Sequence, residues 1–395
     1  MVRSNPKSFS QPDVLKTIQP GCLLRILEPC RPLLEAGGFV WPGSADAEID
    51  YLRLGALLAQ PDERMDSHVI EGLHVIGTLG ADENFDELLA IARRNFIQVD
   101  LDATAADLAA RIWVEAPDML VLKERELGSQ RRRKFESFRA RDPLTVIPPG
   151  DLPYSLEGLE AALEAWFVAR KRGVGCRVVR TDLAGEVRFL VQHGELCRRE
   201  PSRKGPQSTC TFFRPEKTDL VVYDFIANEL RINARTLGEL RLYREQFGRH
   251  LFGDPEWFVY AQKYTLEPLR ADGQRSLECR DLWGIDRVWL TELEYGWPDQ
   301  ALHLIEKKKA DDLFAALAHR KASLPEDARL LKARFAVKLT GEASPRPLMI
   351  QPPNIAEYGR GEEAAPIEQF LRERRFVQIG TEADDETTQP FMAVA

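Results

Sequence analysis

The chain is expected to be an α+β protein, with an all-helical N-terminal part followed by a mixed, largely antiparallel sheet part with interspersed helices. Three observations predict this. Apolar residues recur at helical spacing through the first third. Beyond Cys176 the spacing changes to two. Between the two regimes stand Asp142-Pro143 and Ile147-Pro148-Pro149-Gly150, whose prolines disfavour helix in the residues before them. Hairpins interrupted by single helices exclude a doubly wound parallel sheet.

The expected organisation is a helical array or irregular bundle over residues 1–142, a proline-rich linker at 143–153, an α+β domain at 154–380 and an acidic tail at 381–395. In the first part, Leu52 with Leu57, Leu73 with Ile76, and Leu108 with Ile112 and Trp113 mark amphipathic segments. Asn84 with Glu87 has capping-box spacing, and Thr104 with Asp107 marks a second helix start. No fixed-period repeat is present, so a regular solenoid is not expected. The stretch Asp118 to Arg139 reads as one long helix carrying Arg131, Arg132, Arg133 and Lys134, with Phe135 and Phe138 three apart beside them.

After the prolines, Leu156, Leu159, Leu163, Trp166 and Phe167 form one stripe of a helix over residues 155–170. Hairpins are expected at 176–180 with 187–193 and at 220–223 with 230–233, and a helix from Thr236 to Phe247. Strands follow at 287–293, 302–305, 330–339 and 348–351, with helices near 311–318 and 367–374.

An apolar fraction of 44% with 29% charged residues is globular composition, not that of a disordered chain. Six scattered cysteines read as free thiols in a reduced compartment. The polar stretch from Met1 to Pro12 lacks the apolar core of a secretory signal, and no run is long enough to span a bilayer. A cytoplasmic location with no membrane partner is therefore expected. The net charge of −8 hides an asymmetry: residues 123–204 hold 18 Lys/Arg against 12 Asp/Glu, so the middle is basic and the flanks acidic.

No nucleotide-binding loop is present: Gly173-Val174-Gly175 and Gly359-Arg360-Gly361 are too short to cradle a phosphate. No close pair of soft ligands marks a zinc site; His193 and Cys197 are four apart across strand and turn. Cys176 and Cys210 are possible nucleophiles, with His193 or His250 as base, but neither has a signature around it. Asp286, with Glu306 and Lys308 twenty residues later, resembles the PD-(D/E)XK nuclease pattern, although the Pro-Asp of that pattern is missing. The resemblance implies a Mg²⁺-dependent nuclease with these three as catalytic residues. Without it no cofactor is evident.

The basic middle points elsewhere. Arg131, Arg132, Arg133 and Lys134 beside two phenylalanines, and Arg198, Arg199, Arg203 and Lys204 around a polar loop, have the composition that neutralises phosphates and stacks on bases. The run from Phe212 to Asp254 is similar to bacterial proteins of unassigned function, which implies no catalytic residue. Within it, Arg214, Arg231, Arg235, Arg249 and His250 offer cations for an anion or an acidic peptide.

The expected role is a non-catalytic binding or adaptor component of a bacterial multi-protein system, for example a defence system. Its expected partners are another protein of the same operon and nucleic acid. The nuclease is one alternative, and a sensor of a small anion is another.

Overall fold

A computed structural model describes residues 10–43, 48–60, 62–100, 102–153, 155–260, 262–297, 304–361 and 363–378. The acidic tail expected at 381–395 and the side chain of Lys204 lie outside the described residues. Two compact units are present, Met1–Gly128 with Ser202–Thr209, and Ser129–Pro201 with Cys210–Ala395. The proline cluster at 143–153 lies inside the second unit.

Apart from Ser202–Thr209, which hold parts of two strands, the first unit is helical: α1 (Pro12–Leu15), α2 (Pro20–Leu27), α3 (Arg31–Ala36), α4 (Tyr51–Leu58), α5 (Ser67–Leu79), α6 (Phe85–Arg94), α7 (Ala105–Glu115) and α8 (Pro117–Gln130). Helix α7 is its axis. Ala105, Ala106, Ala109 and Ala110 are buried with Leu108, Ile112 and Trp113, and small side chains let neighbouring helices approach closely. At Gly72 of α5 an added Cβ would stand 2.5 Å from Trp113 Nε1, so glycine makes room for the indole. Thr104 caps α7 by accepting the Asp107 amide hydrogen at 3.2 Å, as its spacing predicts. Asn84 does not cap α6; its side chain donates to the Leu79 carbonyl at 3.1 Å instead, fastening the preceding turn.

The second unit is built on an antiparallel sheet whose strands are β1 (Lys134–Ala140), β2 (Arg177–Asp182), β3 (Glu186–Gly194), β6 (Glu216–Asp224), β7 (Glu229–Asn233), β8 (Phe258–Tyr260), β9 (Ile285–Gly296), β10 (Ile305–Lys309), β11 (Arg329–Leu339), β12 (Arg346–Gln351) and β13 (Ile355–Glu357). Among the described residues their order is β10-β9-β11-β12-β13-β1-β7-β6-β3-β2, with β8 also on β1. The remaining strands, β4 (Arg198–Lys204) and β5 (Gln207–Phe213), form a separate two-stranded ribbon. Helices α9 (Glu157–Ala169) and α10 (Leu237–Phe252) cover the face carrying Phe138, Phe189, Val221, Tyr223 and Ile232. Helices α11 (Glu267–Ala271), α12 (Leu313–His319) and α13 (Ala364–Glu373) contribute to a second core around Leu290, Phe335 and Ile350.

The helix expected over residues 118–139 is therefore two elements. α8 ends at Gln130 and β1 starts at Lys134, in the middle of the sheet. A separation of three suits one helix face, but on a strand it puts two residues on opposite faces. Phe135 accordingly packs with Leu190, Leu220 and Val222, whereas Phe138 packs under α9 and α10. The strand expected from Leu302 begins at Ile305 and runs on to Lys309, with residues 298–303 outside the described set.

Candidate functional site

The β4–β5 ribbon replaces what the sequence suggested was a polar loop. Its turn passes through Gly205, whose φ of +59° lies in the left-handed region that suits glycine. Every residue of β5 is exposed, and Phe212 shows 71% of its surface. A two-stranded ribbon that buries so little is marginal by itself. Its hold on the sheet is at its base.

There, Arg214 Nη1 donates to the carbonyls of Lys171 at 2.6 Å and Glu195 at 2.7 Å, while the Glu195 amide donates to Pro215 O at 2.8 Å. Two glycines make space for that guanidinium. A Cβ at Gly194 would collide with the Arg172 carbonyl oxygen and stand 2.7 Å from Arg214 Cδ; at Gly173, with φ +87°, it would stand 2.9 Å from Arg214 Nε. Arg214 is thus a fastening of the ribbon.

Beside the fastening is a cleft of about 270 Å³ lined by Arg172, Arg198, Lys217 and Arg235 with Glu195 and Glu239, at the start of α10. Arg198 pairs with Glu195, and Arg235 reaches the same carboxylate at 3.9 Å from a largely exposed position. Below them Thr236 and Glu239 close a full capping box, which orients the first turn of α10. The cleft therefore offers a surplus of cations to an entering anion, and the α10 N-terminus adds to it.

Under this cleft lies a buried charge network. Lys217 Nζ is 2.9 Å from Asp219 Oδ1 and 2.8 Å from Glu239 Oε1, and Arg172 also pairs with Glu239. Tyr243 donates its hydroxyl hydrogen to Asp219 Oδ2 at 2.8 Å, and His193 Nε2 is 3.1 Å from the same oxygen. The His193 ring stacks on Phe167 at 3.9 Å between centroids. Burial, then the Asp219 charge and hydrogen bond, push the Tyr243 phenol well above its usual range, so it remains a donor. His193, Asp219 and Glu239 present atoms within 4.8 Å of one another, close enough to hold a cation. The Lys217 ammonium already bridges the two carboxylates, and its charge does what a metal ion's would.

The other sequence candidates are dispersed. Arg131, Arg132, Arg133 and Lys134 are exposed at the entry to β1, where Arg132 donates to Thr218 O at 3.2 Å. Arg199 and Arg203 are exposed on β4. Arg249 and His250 lie in the last turn of α10 while Arg235 precedes its first, about 20 Å away along the axis at 1.5 Å per residue. Cys197 and Cys210 are exposed on and beside the ribbon, and Cys176 is buried. Burial, followed by the Glu160 and Glu164 carboxylates, pushes the Cys176 thiol up to about 12, which disarms it as a nucleophile.

Asp286, Glu306 and Lys308 do not converge. Glu306 is opposite Tyr295 and Lys308 opposite Leu293, which leaves Asp286 nine residues back along β9 from Glu306's partner, roughly 30 Å at strand rise. Asp286 accepts from Thr340 Oγ1 at 2.6 Å and Glu306 from the Tyr295 hydroxyl at 2.7 Å. One cation cannot reach all three.

The chain matches no family model and no curated protein. Sequence reasoning found Arg198 and Arg235 but missed Arg172, Lys217 and Glu239, although the Thr236-x-x-Glu239 spacing was available as a sign of a helix start. Among the described residues no helix is long and apolar enough to cross a membrane.

Proposed function

We propose that this protein is a non-catalytic binding component that engages nucleic acid through the β4–β5 ribbon and the cationic cleft at its base. The observation that carries the reading is a ribbon whose base carries Arg199 and Phe212, both exposed, beside a cleft lined by Arg172, Arg198, Lys217 and Arg235. Arginines neutralise phosphates with release of counterions, and an exposed aromatic ring gives an unpaired base a surface to stack on. A single strand is therefore the preferred form. In the same reading the helical unit offers surface to a protein partner, in a cytoplasmic multi-protein system. The nuclease alternative, and magnesium with it, needs Asp286 beside Glu306, and these stand roughly 30 Å apart at strand rise.

Binding of a labelled single-stranded oligonucleotide across a salt series tests the proposal. Wild-type affinity should fall steeply with salt, and Arg198→Ala with Arg199→Ala should make the log–log slope shallower by about 1.4, at about 0.7 per lost phosphate contact. Absence of binding at low salt, or an unchanged slope in the double variant, overturns it.

A further inference from the structure

The opposite face of the sheet from α9 and α10 carries ordered rows of side chains across β1, β7, β6 and β3. The pairings Phe135 beside Ala356, Leu220 opposite both Asn233 and Leu190, and Val222 opposite both Arg231 and Arg188 set their sequence. An apolar row holds Phe135, Leu220 and Leu190. The next row sets Arg231 and Arg188 on either side of Val222, and the one after it sets Glu229 and Glu186 on either side of Asp224. Above these rows stand Arg132, Arg360, and Ala364 and Glu368 of α13, enclosing a cavity of about 270 Å³.

Most of its charges are committed to one another. Arg231 is paired with Glu186 and lies 3.4 Å from Asp224 Oδ2; Arg188 Nε donates to Glu186 at 2.7 Å. Lys263 donates to both oxygens of Glu229 at 2.6 Å, locking the end of the acidic row. Among the described residues Arg231 leaves only its Nε buried without a hydrogen-bond partner, whereas Arg360 leaves two such donors. Its side chain is only 9% exposed, held with its Cζ 3.7 Å from the Tyr358 ring centroid and 5.1 Å from that of Phe135. Nη1 donates to the Tyr358 hydroxyl at 2.5 Å and to Glu368 at 3.2 Å. Nε and Nη2 are buried with no hydrogen-bond partner among the described residues.

Leaving buried donors unmet is costly, of order 1–3 kcal/mol each and more for a charged group. The unmet pair is also specific. Nε–H and Nη2–H share one edge of the guanidinium and point the same way, which is the edge that takes two oxygens of a carboxylate or phosphate at once. Contact with the two rings, and the bonds from Nη1 to Tyr358 and Glu368, hold the guanidinium in place. Behind it Phe135, Leu220 and Val222 supply an apolar floor.

We propose that this cavity is a binding site for a small organic anion, whose carboxylate or phosphate head is held bidentately by Arg360 and whose body lies on Phe135, Leu220 and Val222. Arg132 at the exposed rim adds a second charge to the head, and the volume limits the body to about the size of a single ring. The site is separate from the ribbon and does not depend on the ribbon's function.

Isothermal titration of the full-length protein with benzoate and, separately, inorganic phosphate tests this. Benzoate should bind saturably and raise the melting temperature, because it binds only the folded state. Phosphate, with a head and no body, should bind more weakly; phosphate binding as well as benzoate would assign the site to inorganic anions and overturn the organic part of the proposal. Arg360→Lys keeps the charge but loses the two-pronged edge, and should weaken benzoate at least about ten-fold. Arg132→Ala, at an exposed position that leaves folding intact, should weaken it several-fold, and this variant decides the matter should Arg360→Lys fail to fold. No saturable heat with benzoate, or undiminished binding in Arg132→Ala and in a folded Arg360→Lys, overturns the proposal.

Discussion

Lys217 and Glu239 meet at 2.8 Å, an ammonium on β6 against a carboxylate in the first turn of α10. Both are nearly sealed from solvent, and the pair joins the sheet to the helix whose start shapes the cationic cleft. A buried charge with a lost partner is strongly destabilising, so this contact governs how the site responds to acid and to mutation.

Burial alone would raise the Glu239 carboxyl, but the hydrogen bonds from Lys217 and Arg172 outweigh it and hold the group at about 2, below its ordinary 4.5. A folded value below the unfolded one gives stability that is present above pH 4.5 and lost as pH falls towards 2. The shift corresponds to about 3 kcal/mol. Urea midpoints measured from pH 6 down to pH 2.5 should fall for the wild type and fall less for Glu239→Gln; parallel curves would contradict this.

Alkylation should separate the cysteines. Cys197 and Cys210 are exposed and should react with iodoacetamide at neutral pH within minutes, whereas Cys176, raised to about 12, and Cys22, raised to about 11, should react only as the protein unfolds. Mass mapping of the modified peptides reads the order directly.

Core and ribbon phenylalanines should differ in cost. Phe138 is 1% exposed under α9 and α10, so Phe138→Ala should lose about 3–5 kcal/mol of stability. Phe212→Ala should lose within about 0.5 kcal/mol, because its ring is already in water. The same substitution should weaken single-stranded binding by about 1–3 kcal/mol. Denaturation and binding measured on one preparation check both halves.

Gly194→Ala should loosen the ribbon, since the new methyl must displace either the Arg172 carbonyl or Arg214. Overpacking of this kind costs about 1–3 kcal/mol. Hydrogen exchange should show faster amides over residues 195–215 with the rest of the sheet unchanged; uniform protection would refute the role given to Arg214.

The fold class was legible because its signals are local. Leu159, Leu163 and Phe167 on α9, and Val187, Phe189 and Val191 on β3, follow the periods of their elements and are buried as those periods require. β1 was misread because Arg131 to Lys134 continue the polar character of α8 and the two phenylalanines sit at helical spacing. Its pairing with β7 and β13 is decided by residues roughly a hundred and two hundred positions away. The ribbon was missed because strands that face water on both sides have no alternation to detect. Of the site, Arg198 and Arg235 were found by composition. Arg360 was seen only as part of a glycine fragment too short for a nucleotide loop; what distinguishes it, two rings and an unmet edge, exists only after folding.

The position of β1 also decides where this polypeptide can be cut. Residues 134–140 hydrogen-bond to β7 on one side and to β13 and β8 on the other, so a fragment starting at the prolines would discard the seam between the two halves of its own sheet. β7 and β13 would then each present an unpaired rim, the kind of template on which other chains add and aggregate. A truncation meant to isolate the C-terminal body has to start upstream of Arg131, and one starting at residue 154 should be recovered insoluble.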